Sequence, residues 1–239
     1  MKRKQAGRQG DGGTADATAA TREFGAFKGR PVPGTGPLEI ADLAQLLKLG
    51  CGGTFRHVGD VVIKSDVWEK FPYDITIDGN LRCPMLKVGG FLKVNGSINA
   101  AILDIDGDLH AGSVRCGRID SRGKVHVEGS VFSASDINAT ELTAKTATAQ
   151  NITAELVGIR QHLQSTTLKA KALKAGSAKI TMLNAFFVAV EYDLRCQALE
   201  AESLAAGTLE PDGNKLLASI NGSTTLTGKT GRPWTDSGD

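Results

Sequence analysis

An unbroken series of apolar residues, one every five or six positions from Leu81 to Leu209, restricts what this chain can fold into more than any other feature. It begins Leu81, Leu86, Leu92, Ile98, Leu103, Leu109 and ends Leu194, Leu199, Leu204, Leu209. Taken in threes it sorts into three columns, the first holding Leu81, Ile98, Val114, Val131, Ala147, Leu163, Ala178, Leu194 and Leu209. In a strand, positions i and i+2 point to the same side. Two places after the first column stand Cys83, Ala100, Cys116, Ser133, Ala149, Ser165, Ile180 and Cys196, and the other columns are followed in the same way by Ala, Val, Ile or Ser. Residues this small or β-branched suit a second inward position beside a corner, where space is short.

Strands that turn every five or six residues wind into a three-sided β-solenoid of about 16 residues per coil. Each strand then pairs with the one a coil below, at about 4.8 Å. Residues 137–165 align without a gap on residues 168–196, two coils later, as such a winding requires. An amphipathic helix competes for the Ala-rich half, because Ala, Leu, Lys and Glu are good helix formers. It fails on geometry: a five-residue step turns a helix by about 500°, so the apolar positions would spiral over the whole surface. With aromatics at 5% of the chain, the core must be built from small aliphatic side chains.

Val61, Ile63, Ile75 and Ile77 extend the pattern toward the N-terminus, with WEKFPYD as an inserted loop. Before them, PLEIADLAQLLKLG places Ile40, Leu43, Leu46 and Leu47 at helical spacing and ends on Gly50, a helix stop. A short helix over 37–50 is expected to cap the open edge of the first coil, since solenoids need covered ends. Its alternative role is contact with a membrane surface. The solenoid is expected over 53–226, interrupted at Pro211 and resumed by ASINGST. Residues 1–36 read as a disordered basic tail, with seven Lys and Arg against three acids and no apolar run, and residues 227–239 as a second disordered tail. No secretory leader pattern or run of about 18 apolar residues is present, so a cytoplasmic address is expected, with weak membrane-surface contact through the basic tail.

Chemistry leaves few marks. The four cysteines form no C-x-x-C pair, and Cys83, Cys116 and Cys196 fall in one inward column as small core residues of a reducing compartment. His110, His126 and His162 stand beside the apolar series, face outward and have no clustered acid or thiol, so no metal site is expected. Gly79, Gly96, Gly107 and Gly129 read as corner residues that permit positive φ, and the DGDL and IDGNL phrases lack the spacing of a calcium loop. No nucleophile elbow, Walker loop or dinucleotide fingerprint occurs; the chain reads as neither an enzyme nor a cofactor carrier. Hexapeptide acyltransferases are solenoids too, but they step strictly by six.

Two outward features are candidates for binding. The residues just after the first column include Arg82, Arg115, Lys179 and Arg195 in a row that also holds Asn99, Phe132, Thr148 and Gln164, and this row could meet an anionic partner. The net charge of +2 gives no case for specific nucleic-acid binding. Phe91, Phe132 and Phe187 face outward as candidates for lateral contacts, and Leu209 ends the series as a candidate assembly contact.

The run VGGFLKVNGSINAAILDIDGDL, followed by RGKVHVEGSV, resembles the bactofilins, bacterial polymer-forming cytoskeletal proteins. Their G-x-L-x-I-x-G-x-V phrases wind a three-sided right-handed β-helix between short tails. The likeness is closest over residues 74–134 and weaker to about residue 224, with a fainter likeness to the β-helical domain of the division inhibitor MinC. It implies end-to-end self-assembly without nucleotide into filaments that scaffold envelope or membrane-associated proteins. The alternative is a capped, non-polymerising solenoid that serves as an adaptor through its basic row.

Overall fold

The computed structural model describes residues 37–50, 53–213 and 215–230. The tail expected at 1–36 lies outside the described residues, as do Cys51 and residues 231–239 of the tail expected at 227–239. The described chain is a β-solenoid of about ten coils with one short helix. Its strands are β1 (Leu38–Ile40), β2 (Thr54–Val58), β3 (Val61–Ile63), β4 (Asp74–Asp78), β5 (Leu81–Val88), β6 (Leu92–Ile105), β7 (Leu109–Ser121), β8 (Lys124–Val127), β9 (Ser130–Ser133), β10 (Asp136–Asn138), β11 (Glu141–Pro211), β12 (Leu217–Ile220) and β13 (Thr224–Leu226). The helix α1 is Leu43–Leu49.

Every strand pairing among the described residues is parallel, and the pairings from Leu81 onward follow the columns read from the sequence. Side one stacks Leu81, Ile98, Val114, Val131 and Ala147. Side two stacks Leu86, Leu103, Ile119, Ile137 and Ile152. Side three stacks Leu92, Leu109, Val125 and Leu142. Drawn straight, the 71 residues of β11 would reach roughly 230 Å; they instead bend at each corner and keep their ladder bonds with neighbouring coils. Every residue of the apolar series except Leu209 is buried, and so are nearly all residues two places on; Ala139 and Ala170 are half-buried.

The corner glycines act by a different route from the one expected. Among the described residues positive φ occurs only at Gly53, Gly59, Gly213 and Gly228, not at Gly79, Gly96, Gly107 or Gly129. Their role is close approach of backbone to backbone: a Cβ on Gly96 would sit 2.5 Å from the Gly79 carbonyl oxygen, and one on Gly129 would sit 2.9 Å from that of Gly112. The same carbonyls accept from the Gly96 and Gly129 N–H groups at 2.9 and 2.8 Å. Beside this corner runs a polar ladder: Asn80 Oδ1 accepts from the Ser97 N–H and hydroxyl at 2.8 and 2.7 Å, Thr146 donates to Ser130 at 2.9 Å, and Thr208 donates to Asp193 at 3.0 Å.

The two ends differ. At the N-terminus the solenoid starts earlier than expected, because Ile40 belongs to β1 and pairs with Ile63 rather than sitting in a helix. The helix α1 then takes the place of the side-two strand in the first coil, between β1 on side one and β2 on side three. Asp42 caps it by accepting the Gln45 N–H at 2.8 Å, and the Gln45 side chain accepts the Ala41 N–H at 2.7 Å. Gly50 ends it against the Phe71 ring, where a Cβ would come within 2.8 Å. Ile40, Leu46 and Phe55 are all buried in this coil. The WEKFPYD segment is more than an inserted loop: Phe71 within it and Val67 just before it are buried, and their N–H groups bond the Lys87 and Met85 carbonyls at 2.9 and 3.1 Å, so they hold side two of the second coil.

At the C-terminus β12 lies on side two, with Ala218 opposite Leu199, and β13 on side three, with Thr224 opposite Leu204. Their residues are open to solvent: Leu217 is 71% exposed and Leu226 54%. No described strand pairs with their outer edges. No helix among the described residues is long and apolar enough to cross a membrane.

Candidate functional site

The side-one outward row exists as a physical column, since Arg82, Asn99, Arg115, Phe132 and Thr148 sit opposite one another in register. It does not gather four cations. Arg82 and Arg195 are seven rungs apart, roughly 34 Å. The Arg115 guanidinium stacks over the Phe132 ring at 5.4 Å. Lys179 pairs with Asp212 at 3.4 Å, and Arg195 pairs with Glu210 at 3.0 Å. Glu210 is the next residue of this same row, following Leu209 as Arg195 follows Leu194. Carrying the column one rung further would have revealed it.

The aromatic candidates face outward as expected, with Phe91 37%, Phe132 38% and Phe187 60% exposed. They form no shared surface. Phe132 is on side one, whereas Phe91 and Phe187 are on side three, and Asp108, Lys124, Glu141, Leu156 and Ala172 occupy the rungs between them. Apolar side chains outside these candidates are exposed at both ends of the rod, at Val58 and Trp68 near the N-terminus and at Leu156, Met182, Phe186 and Leu217 further on. Leu209 is half-buried at the foot of side one, immediately before the last coil.

Cys83 and Cys116 sit two rungs apart with Ala100 between them, as the column predicts. Burial pushes both thiols up to about 12, with the neighbouring Cys116 adding to the effect on Cys83 and a Ser133 hydrogen bond opposing it at Cys116. Burial, then Asp212, pushes Cys196 up to about 11. Such thiols are packing residues and poor nucleophiles. His110 and His126 stand on adjacent rungs with ring centroids 5.6 Å apart, and His126 Nδ1 lies 2.7 Å from Thr143 Oγ1. His162 is half-buried in the corner ladder rather than fully outward. No group of three or more His, Cys, Asp or Glu able to hold a metal ion occurs among the described residues.

Two features remain that could engage another molecule. One is the uncovered C-terminal coil, with unpaired edges on β12 and β13. The other is a groove of about 820 Å³ along side three, running from His126 past Gly158 and Ala189 to Thr227. A smaller hollow of about 610 Å³ on side two, beside Met182, Ala198 and Leu217, adjoins the open coil. Compared with known proteins, the chain matches no family model, no curated protein and no solved structure.

Proposed function

We propose that this chain is a bactofilin-like structural protein that associates end to end, without nucleotide, through its open C-terminal coil. The observation that carries the reading is the contrast between the ends: the first coil buries Ile40, Leu46 and Phe55, while the last leaves Ala218 and Leu226, which stack on the buried Leu199 and Ala206, in solvent. An uncovered coil presents N–H and C=O groups at strand spacing together with apolar side chains, and a second such coil satisfies both. Because the first coil already buries its own apolar side chains, the first product is a pair of solenoids joined C-terminus to C-terminus about a two-fold axis. Growth of the pair into a filament then requires the α1 coil to become the second contact. The sides of the rod are left free to display partners, which is how it would scaffold envelope-associated proteins.

In this reading the rod works in the cytoplasm, the basic residues 1–36 add contact with anionic membrane, and no catalytic step or cofactor is involved. Electron microscopy tests it. About ten coils make a rod of roughly 50 Å; particles of about twice that length, or filaments, are expected, and Leu226→Lys should return them to single rods. The covered N-terminal end favours a second reading, a non-polymerising adaptor, and single rods at every concentration would select it.

A further inference from the structure

We propose that the side-three groove is a docking site for an extended acidic segment of a partner protein. The groove spans the rungs from His126 to Thr227, six rung spacings or roughly 29 Å. An extended peptide of about nine residues covers that length at about 3.3 Å per residue.

The floor is kept low by a residue the fold does not need. Gly176, also at the groove, is required by the backbone, since a Cβ there would lie 2.6 Å from the Gln161 carbonyl oxygen. Gly158 is not: its φ is not positive, and a Cβ would meet only Thr143 Cγ2 at 3.5 Å, an ordinary contact. Glycine weakens a strand, and it marks places where another chain comes close. With Ala189 and Ala205 also facing the groove, the floor is a shallow apolar channel.

The charge of the lining selects the occupant. Arg160, Lys174 and Lys229 border the channel and form no ion pair with another described residue. Of the two acids of the lining, Glu141 pairs with Lys124 at 3.0 Å, which leaves the single carboxylate of Glu191 against three cations. The uncompensated charge is therefore positive. Among the described lining residues the one ring is the His126 imidazole at one end, so successive bases of a single-stranded nucleic acid would find no run of platforms to stack on. An extended peptide alternating carboxylates with apolar side chains satisfies walls and floor together. The site lies on the flank of the rod and reaches the last coil only at Thr227 and Lys229.

Fluorescence anisotropy with a labelled nonapeptide of alternating Asp and Leu tests it, using the full chain and a chain ending at Thr230. Saturable binding to the full chain is expected, at least about tenfold weaker in Gly158→Leu and in Arg160→Glu/Lys174→Glu, a loss of about 1.4 kcal/mol. Lys169→Glu, exposed on side two, should bind as the unaltered chain does. Because the double variant leaves the floor intact, it decides the question if Gly158→Leu fails to fold. Equal binding by these variants overturns the proposal, as does equal binding of a Lys-for-Asp peptide. Tighter binding of oligothymidylate or a sulfated polysaccharide overturns it too. Binding that appears only after truncation assigns the groove to the chain's own residues 231–239, which include Trp234, Asp236 and Asp239, and overturns the partner claim.

Discussion

Single residues carry this fold through one repeated decision: which side of the sheet a side chain takes. Leu168 is fully buried and its neighbour Lys169 is exposed. Leu168→Asp forces a carboxylate into an aliphatic column with no partner, so loss of several kcal/mol and of the cooperative melt is expected, while Lys169→Asp should shift stability by less than about 0.5 kcal/mol. Circular dichroism melting checks both. The glycines give a second contrast. Gly96→Ala drives a methyl into the Gly79 carbonyl and should cost about 1–3 kcal/mol. Gly158→Ala makes only ordinary van der Waals contact, with Thr143 Cγ2 at 3.5 Å, and should be neutral or stabilise by about 0.5–1 kcal/mol in a denaturant titration. The buried thiols set a pH dependence. Folding raises Cys83 and Cys116 from their usual 9.0 to about 12, which favours the neutral form. That contribution is complete below about pH 9 and is lost as pH rises toward 12, where the unfolded chain releases protons the folded chain keeps. Cys83→Ala should therefore weaken the fall in stability between those values, and Ellman's reagent should leave the three described thiols unmodified at pH 8 until the protein unfolds.

At the scale of elements, the three columns were legible because every coil repeats the same burial decision, which makes the period visible in one sequence. Registers such as Leu81 to Ile98 to Val114 follow from the spacing alone. What the spacing could not show were the parts that break it. Ile40 looked helical because Ile40, Leu43 and Leu46 share helical spacing, yet three strand residues sufficed to pair with β3 once the sheet edge was there to receive them. Phe71 was passed over because its segment lacks alternation, although its backbone is bonded to side two. The cationic row was read without its acids because Asp212 reaches Lys179 from a different row, and Glu210 lay one rung beyond the count. The groove left no sequence signal at all, because a small outward residue looks like any other surface position until its neighbours are placed. The seven-residue helix α1 is too short to be stable alone. Asp42→Ala removes its cap and should cost about 1 kcal/mol; hydrogen exchange should then show faster opening of α1 and β1 with β6 and β7 unchanged.

Among the described residues the ladder buries the apolar side chains of its first coil and leaves those of its last coil exposed, and that asymmetry governs what it can build. Solenoid coils bury each other's apolar residues, so a terminal coil with nothing upon it keeps the sides of the rod satisfied while leaving its own face unsatisfied. Association through that face is the central claim. Light scattering coupled to size exclusion tests it most directly. The full chain, at 25.1 kDa, should elute at twice that mass or a higher multiple, and Leu217→Lys/Leu226→Lys should elute at 25.1 kDa with an unchanged circular dichroism spectrum. A folded full chain that remains at 25.1 kDa up to millimolar concentration would contradict the claim.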